Sequence, residues 1–158
     1  MQYIEALFEY EPGPLPALFL AGGITGCPDW QQELVVRLQD LQVVLLNPRR
    51  ANFPIGNPKA ASQQIEWEHR HLRKADAIIF WFPSETLCPI TLYELGAWSV
   101  YRDERGPKPL FIGVHPEYQR RQDVEIQTRL VRPEVQIVYG LPDLAECVKR
   151  WLPSFKGR

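Results

Sequence analysis

The chain is poor in the features that mark the commonest binding chemistries. It has three cysteines, Cys27, Cys88 and Cys147, with no CxxC pair among them. That excludes a disulfide framework and a zinc ribbon and favours a reducing compartment. His69, His71 and His115 supply no metal-ligand spacing, so no metal and no cofactor is expected. Charge is nearly balanced, at −1 overall with a pI near 6.3. No basic excess points to nucleic acid, and Arg49–Arg50 and Arg120–Arg121 are only local pairs. No apolar run approaches membrane-spanning length, and Glu5, Glu9 and Glu11 stand where a signal peptide would be basic. A cytoplasmic protein without membrane or nucleic-acid partners is the expectation.

What is present reads as an ordinary globular domain: 158 residues, 45% hydrophobic and 23% charged. The 15 prolines fall mostly between apolar segments, where they punctuate loops. Residues 1–16 read as an N-terminal arm or edge strand, and 17–155 as a single domain. Buried strands are expected at Ala17–Ala21, Val43–Leu46, Ala77–Phe82, Pro109–Val114 and Val135–Tyr139. Helices are expected between them: from an Asp29 cap to Leu41, from a Ser62 cap to Lys74, from Ile90 to Tyr101, and over Glu117–Leu130. A last helix follows Gly140-Leu141-Pro142. Alternating strands and helices give an α/β, three-layer, Rossmann-like (flavodoxin-like) fold. The expected sheet is five-stranded and parallel, of order 2-1-3-4-5, with helices on both faces.

Two acids stand out. Glu94 is expected in the first turn of the helix that follows the third strand, beyond the sheet's C-terminal edge, where ligands bind in such folds. A carboxylate there can act as a nucleophile or base. Thr91-Leu92-Tyr93-Glu94 also matches a capping box, in which the Glu only bonds back to the backbone. Glu68 shares a helical face with Ile65, His69, Leu72 and Ala75, so it interrupts an apolar stripe. A buried acid with a raised pKa suits a general acid. Gly22-Gly23-Ile24-Thr25-Gly26 follows the first strand and lets a ligand approach the backbone closely, although it is neither GxGxxG nor a P-loop. Asn47 and Arg49 lie at the same edge. Asp76 reads as a structural cap, and Cys88 as an inert thiol.

Together, FLAGGITG, the NPRR loop, IEWEHRHLRKADAIIFWFP and CPITLYELGAW resemble the nucleoside 2-deoxyribosyltransferases and their shorter relatives. The resemblance runs from Ala17 to Leu152, and ELGAW after the ADAIIFWFP strand is its most specific part. It implies cleavage or transfer at the N-glycosidic bond of a (deoxy)nucleoside or nucleoside monophosphate. Glu94 matches the family's nucleophile, which forms a covalent glycosyl-enzyme intermediate. Glu68 matches the acid that contacts or protonates the base. Gly22, Gly23, Ile24 and Thr25 match the segment along the sugar, and Trp81 and Phe82 are expected to flank the base. The resemblance also implies a homodimer or higher homo-oligomer. Where transferases keep an acid before the nucleophile, this chain has Leu87-Cys88-Pro89-Ile90. Transfer and hydrolysis therefore both stay open, as does a non-catalytic nucleotide-binding or sensor module on the same fold.

Overall fold

The computed structural model describes residues 1–54 and 56–157. In chain order the elements are β1 (Gln2–Glu5), β2 (Ala17–Gly22), α1 (Trp30–Leu38), β3 (Val44–Asn47), α2 (Ala60–Lys74), β4 (Ala77–Phe82) and α3 (Pro89–Val100). There follow β5 (Arg102–Asp103), β6 (Gly106–Pro107), β7 (Leu110–Val114), α4 (Arg121–Val131), β8 (Ile137–Val138) and α5 (Leu141–Trp151). The main sheet is parallel throughout, in the order β1-β3-β2-β4-β7-β8.

Without β1 this is the expected order 2-1-3-4-5, but the sheet has six strands rather than five. Residues 2–5 complete the outer edge of β3, with Tyr3 opposite Leu45 and Ile4 opposite Leu46. The last strand shrinks to Ile137–Val138. A small antiparallel ribbon, β5 with β6, was not foreseen. Its turn, Glu104–Arg105, leads into Gly106, whose φ of +99° only glycine adopts freely.

Strand alternation sorts the core into two layers. Ala17, Phe19 and Ala21 of β2 and Ile78, Phe80 and Phe82 of β4 face α2, α3 and α4 through Trp67, Leu72, Leu95, Trp98 and Val124. Leu18, Leu20, Ala77, Ile79 and Trp81 face α1 and α5 through Trp30, Leu34, Leu38, Leu144 and Val148. Buried on both sides, β4 reads as the unbroken apolar run AIIFWF.

Helix starts differ from the sequence reading in two places that matter for the site. The N-cap of α2 is Lys59, not Ser62. Asn57 forms the turn ahead of it, its Oδ1 accepting from Lys59 N at 3.0 Å, and the Ser62 hydroxyl donates back to the Lys59 carbonyl. The buried side of α2 is Trp67, His71 and Leu72, whereas Ile65 is 64% exposed and His69 lies in solvent. The N-terminal stretch causes this rotation. It lies over α2, where Trp67 Nε1 donates to the Phe8 carbonyl and Tyr10 N donates to His71 Nε2. Helix α3 begins at Pro89, after Cys88 in a left-handed conformation (φ 48°). Glu94 therefore lies in the second turn, and the Thr91–Glu94 capping box does not form.

Candidate functional site

A cavity of about 250 Å³ opens beyond the C-terminal ends of β2 and β4, on the α2/α3 face of the sheet. This is the crevice where the chain order reverses. Its floor is Phe19 and Ala21. One wall is the loop from Gly22 to Thr25, and another is Pro48 with Glu68 of α2. The third is the start of α3, from Thr86 through Thr91 to Glu94.

The two acids meet here. Burial pushes the Glu94 carboxyl up to about 8, and the nearby charge of Glu68 pushes the same way. Burial also raises Glu68, opposed by one hydrogen bond from Gln64 Nε2 to its Oε1 at 2.8 Å. The wall, as far as it is formed by described residues, carries two carboxyls and no lysine, arginine or histidine.

The glycine loop is shaped by what lies behind it. A Cβ on Gly22 would fall 2.5 Å from the Trp30 ring and 2.6 Å from the Trp81 carbonyl oxygen. On Gly23 it would fall 2.9 Å from Pro83 and 3.0 Å from each of the sulfurs of Cys27 and Cys88. Trp30 Nε1 donates to the Gly23 carbonyl at 2.8 Å and Gln31 Nε2 to the same oxygen at 3.3 Å. Arg49 braces the loop from outside. Its guanidinium donates to the carbonyls of Ile24, Cys27 (3.1 Å) and Pro28 (3.0 Å) and pairs with Asp29 at 3.2 Å. The N-terminus of α1 is likewise occupied from within, since Asp29 Oδ1 accepts from Gln32 N at 3.0 Å.

The structure thus brings Glu94, Glu68, Gly22, Gly23, Ile24 and Thr25 around one cavity and leaves four expected residues outside its wall. Arg49 is a strut of the loop. Asn47 is buried at the end of β3, donating to the Tyr3 hydroxyl at 2.7 Å and accepting from Arg49 N. Trp81 lies on the opposite, α1/α5 face, only 5% exposed and packed over Gly113. Phe82 is on the cavity's face but fully buried against Tyr118, ring centroids 5.2 Å apart. Strand alternation forbids both neighbours from facing one pocket, and the adjacent helices decide the rest. Pro48, Thr86 and Thr91 line the cavity without having been foreseen. The Pro-rich 47–58 loop was a signal for Pro48 alone, and nothing in the sequence pointed Thr86 or Thr91 at a pocket. Asp76 is the structural acid expected, with Oδ2 accepting from Ala17 N at 2.9 Å. Cys88 is pushed up to about 12, chiefly by burial, which leaves the thiol inert. No group of potential metal ligands occurs among the described residues, and none of their helices is long and apolar enough to cross a membrane.

No curated protein matches the chain. The model of a family described as nucleoside 2-deoxyribosyltransferase like matches residues 15–106, a span that runs from β2 through β6 and contains every wall of the cavity. The chain belongs to the nucleoside 2-deoxyribosyltransferase-like family.

Proposed function

We propose that the protein cleaves or transfers at the N-glycosidic bond of a nucleoside through a covalent glycosyl-Glu94 intermediate. The observation that carries this reading is the Glu68–Glu94 carboxyl pair in one cavity at the C-terminal sheet edge. Glu94 attacks the anomeric carbon, and the bond to the base nitrogen breaks with its electron pair going to the base. Glu68 supplies the proton that makes the base a good leaving group. Water or a second base then attacks from the opposite face and releases Glu94, a retaining double displacement.

The wall favours a nucleoside over its 5′-monophosphate. A phosphate dianion entering the cavity would meet two carboxyl groups with no cation opposite it. Arg49, beside the Pro48 wall, is spent on three carbonyls and Asp29, and Asp29 itself occupies the N-terminus of α1. Chromatography of purified protein with deoxy- and ribonucleosides and their monophosphates, with and without an acceptor base, tests both statements. Base release from nucleosides, lost in Glu94→Gln, is the expected result. No release from any of them overturns the enzymatic reading.

The stretch Leu87-Cys88-Pro89-Ile90 keeps a second reading in view. Without an acid there to hold the sugar hydroxyls, the same cavity would serve as a non-catalytic nucleotide-binding module. Tight binding of an intact nucleotide with no turnover distinguishes it. We further take the protein to be a cytoplasmic homodimer or higher oligomer. Three unpaired cysteines agree with the location, and an apolar outer stripe on α3 agrees with the assembly.

A further inference from the structure

Gln64 lies on α2 one turn before Glu68. Its Nε2 donates to the Pro48 carbonyl at 2.7 Å and to Glu68 Oε1 at 2.8 Å. An amide nitrogen carries two hydrogens, so both are spent. A backbone carbonyl only accepts, so the Pro48 contact settles which end of the amide points there. Turned over, the Gln64 oxygen would face two acceptors. As it stands, that oxygen is buried without a hydrogen-bond partner among the described residues. Glu68 Oε1 is therefore held as an acceptor, and any proton on the acid pair must sit on Glu68 Oε2 or on Glu94.

Two carboxylates in one partly desolvated cavity without a cation do not both ionise easily, so the pair titrates as a unit. Among the described residues that line the cavity, no other group competes for the proton. Glu68 enters the cavity from α2 and Glu94 from α3. The Cys88 thiol, ahead of α3, is neutral, and β2 with its loop and Pro48 add nothing ionisable. We propose that Gln64 is a positioning residue that decides where the shared proton rests, holding Glu68 as the carboxylate and leaving the proton on Glu94 in the ligand-free protein. This rests on the reading of Glu94 and Glu68 as the working pair. The electrostatics run the same way, with Glu94 pushed up to about 8 and the Gln64 bond pulling Glu68 down against its burial.

The assignment gives the cycle a closed proton balance. On substrate binding the proton leaves Glu94 for Glu68 Oε2. The freed Glu94 carboxylate bonds to the anomeric carbon, and the carbon–nitrogen bond breaks toward the base, which takes the proton from Glu68. In the second half Glu68 accepts a proton from the attacking water or base as the ester bond to Glu94 breaks. The proton then returns to Glu94, and the resting state is restored.

The test is a carboxyl-carbon NMR titration of the full, ligand-free chain with labelled glutamate, assigned through Glu94→Gln and Glu68→Gln. Two variants remove the donor to Glu68. Gln64→Met keeps the length, and Gln64→Asn keeps the polarity but is too short to span both partners. In the wild type Glu94 is expected to titrate well above Glu68. In either variant that folds, Glu94 should fall and Glu68 rise by about one pH unit or more. The pH limb of base release should move with them. A wild-type Glu94 in the ordinary carboxyl range, or titrations unchanged in the variants, overturns the assignment. Absence of base release with these shifts intact would sink the enzymatic reading and leave the role of Gln64 standing.

Discussion

At the scale of single residues, the site is set by what side chains are denied. Gly23 has no room for a methyl group, because Pro83 and the sulfurs of Cys27 and Cys88 already surround the place a Cβ would take. Pro83 and the buried Cys88 are held by the end of β4 and the start of α3, so neither yields cheaply. Gly23→Ala is expected to cost about 1–3 kcal/mol, the usual range for overpacking. It should also reduce base release by pushing the loop into the cavity. Urea denaturation and steady-state kinetics check both, and an unaltered midpoint would show that the loop shifts freely. Glu94 was legible in the sequence because a charge in an apolar segment needs a reason, whereas Glu68 was singled out from a stripe whose phase was wrong, since Ile65 and His69 are exposed. Trp81 was not legible, because a strand buried on both faces carries no alternation to say which side a given residue takes. Gln64 gave no signal at all, since a glutamine on a polar helix face reads as solvated until the Pro48 carbonyl is placed beside it.

At the scale of elements, each wall of the cavity has its own support. The loop after β2 is braced chiefly by Arg49, which donates to the carbonyls of Ile24, Cys27 and Pro28. Arg49→Met keeps the side chain's bulk but leaves those oxygens to water. The expected result is a weakened KM and a loop open to limited proteolysis, with the sheet intact by circular dichroism. Wild-type proteolysis and kinetics in the variant would reduce Arg49 to a surface residue. Helix α3 was placed by its apolar period to within a residue at each end, but Glu94 was put in its first turn rather than its second. Cys88 adopts a left-handed conformation that lets Pro89 begin the helix, and neither residue type announces that conformation. The phase of α2 was missed for a longer-range reason. Trp67 and His71 are buried by Phe8–Tyr10, some 60 residues away in sequence, and helical periodicity alone knows nothing of that cover. Outside the cavity α3 presents Tyr93 and Val100, each at least 65% exposed, with Gly96 and Ala97 between them. Its one charged residue, Glu94, lines the cavity, so two copies can approach along this stripe without like charges meeting. Val100→Glu is expected to shift the assembly toward monomer in sedimentation velocity. A monomeric wild type would sink the oligomer.

At the scale of the whole molecule, two partly desolvated ionisable groups pull stability in opposite directions with pH. His71 stacks on Trp67 with ring centroids 4.0 Å apart, its Nδ1 bonded to the Trp67 carbonyl and its Nε2 accepting from Tyr10 N. Burial lowers its pKa from an ordinary 6.5. The unfolded chain then binds the extra proton first, so this contribution is complete above pH 6.5 and is lost as pH falls through the lowered folded value. Glu94 has the opposite sign. Its pKa rises from 4.5 to about 8, the folded chain holds the extra proton, and stability drains away as pH climbs through that window. Between 4.5 and 6.5 the two slopes oppose, and from 6.5 to 8 Glu94 acts without His71. Wild-type stability should therefore decline by on the order of 1–2 kcal/mol between pH 6.5 and 8, within the limit of about 1.4 kcal/mol per pH unit for one group. Glu94→Gln removes that decline, so the variant should match the wild type only below pH 4.5 and exceed it increasingly up to pH 8. Urea midpoints at three pH values measure the difference. A gap between the two proteins that does not change with pH would mean that Glu94 is not protonated in the folded state, and the proposed nucleophile would then rest ready rather than masked.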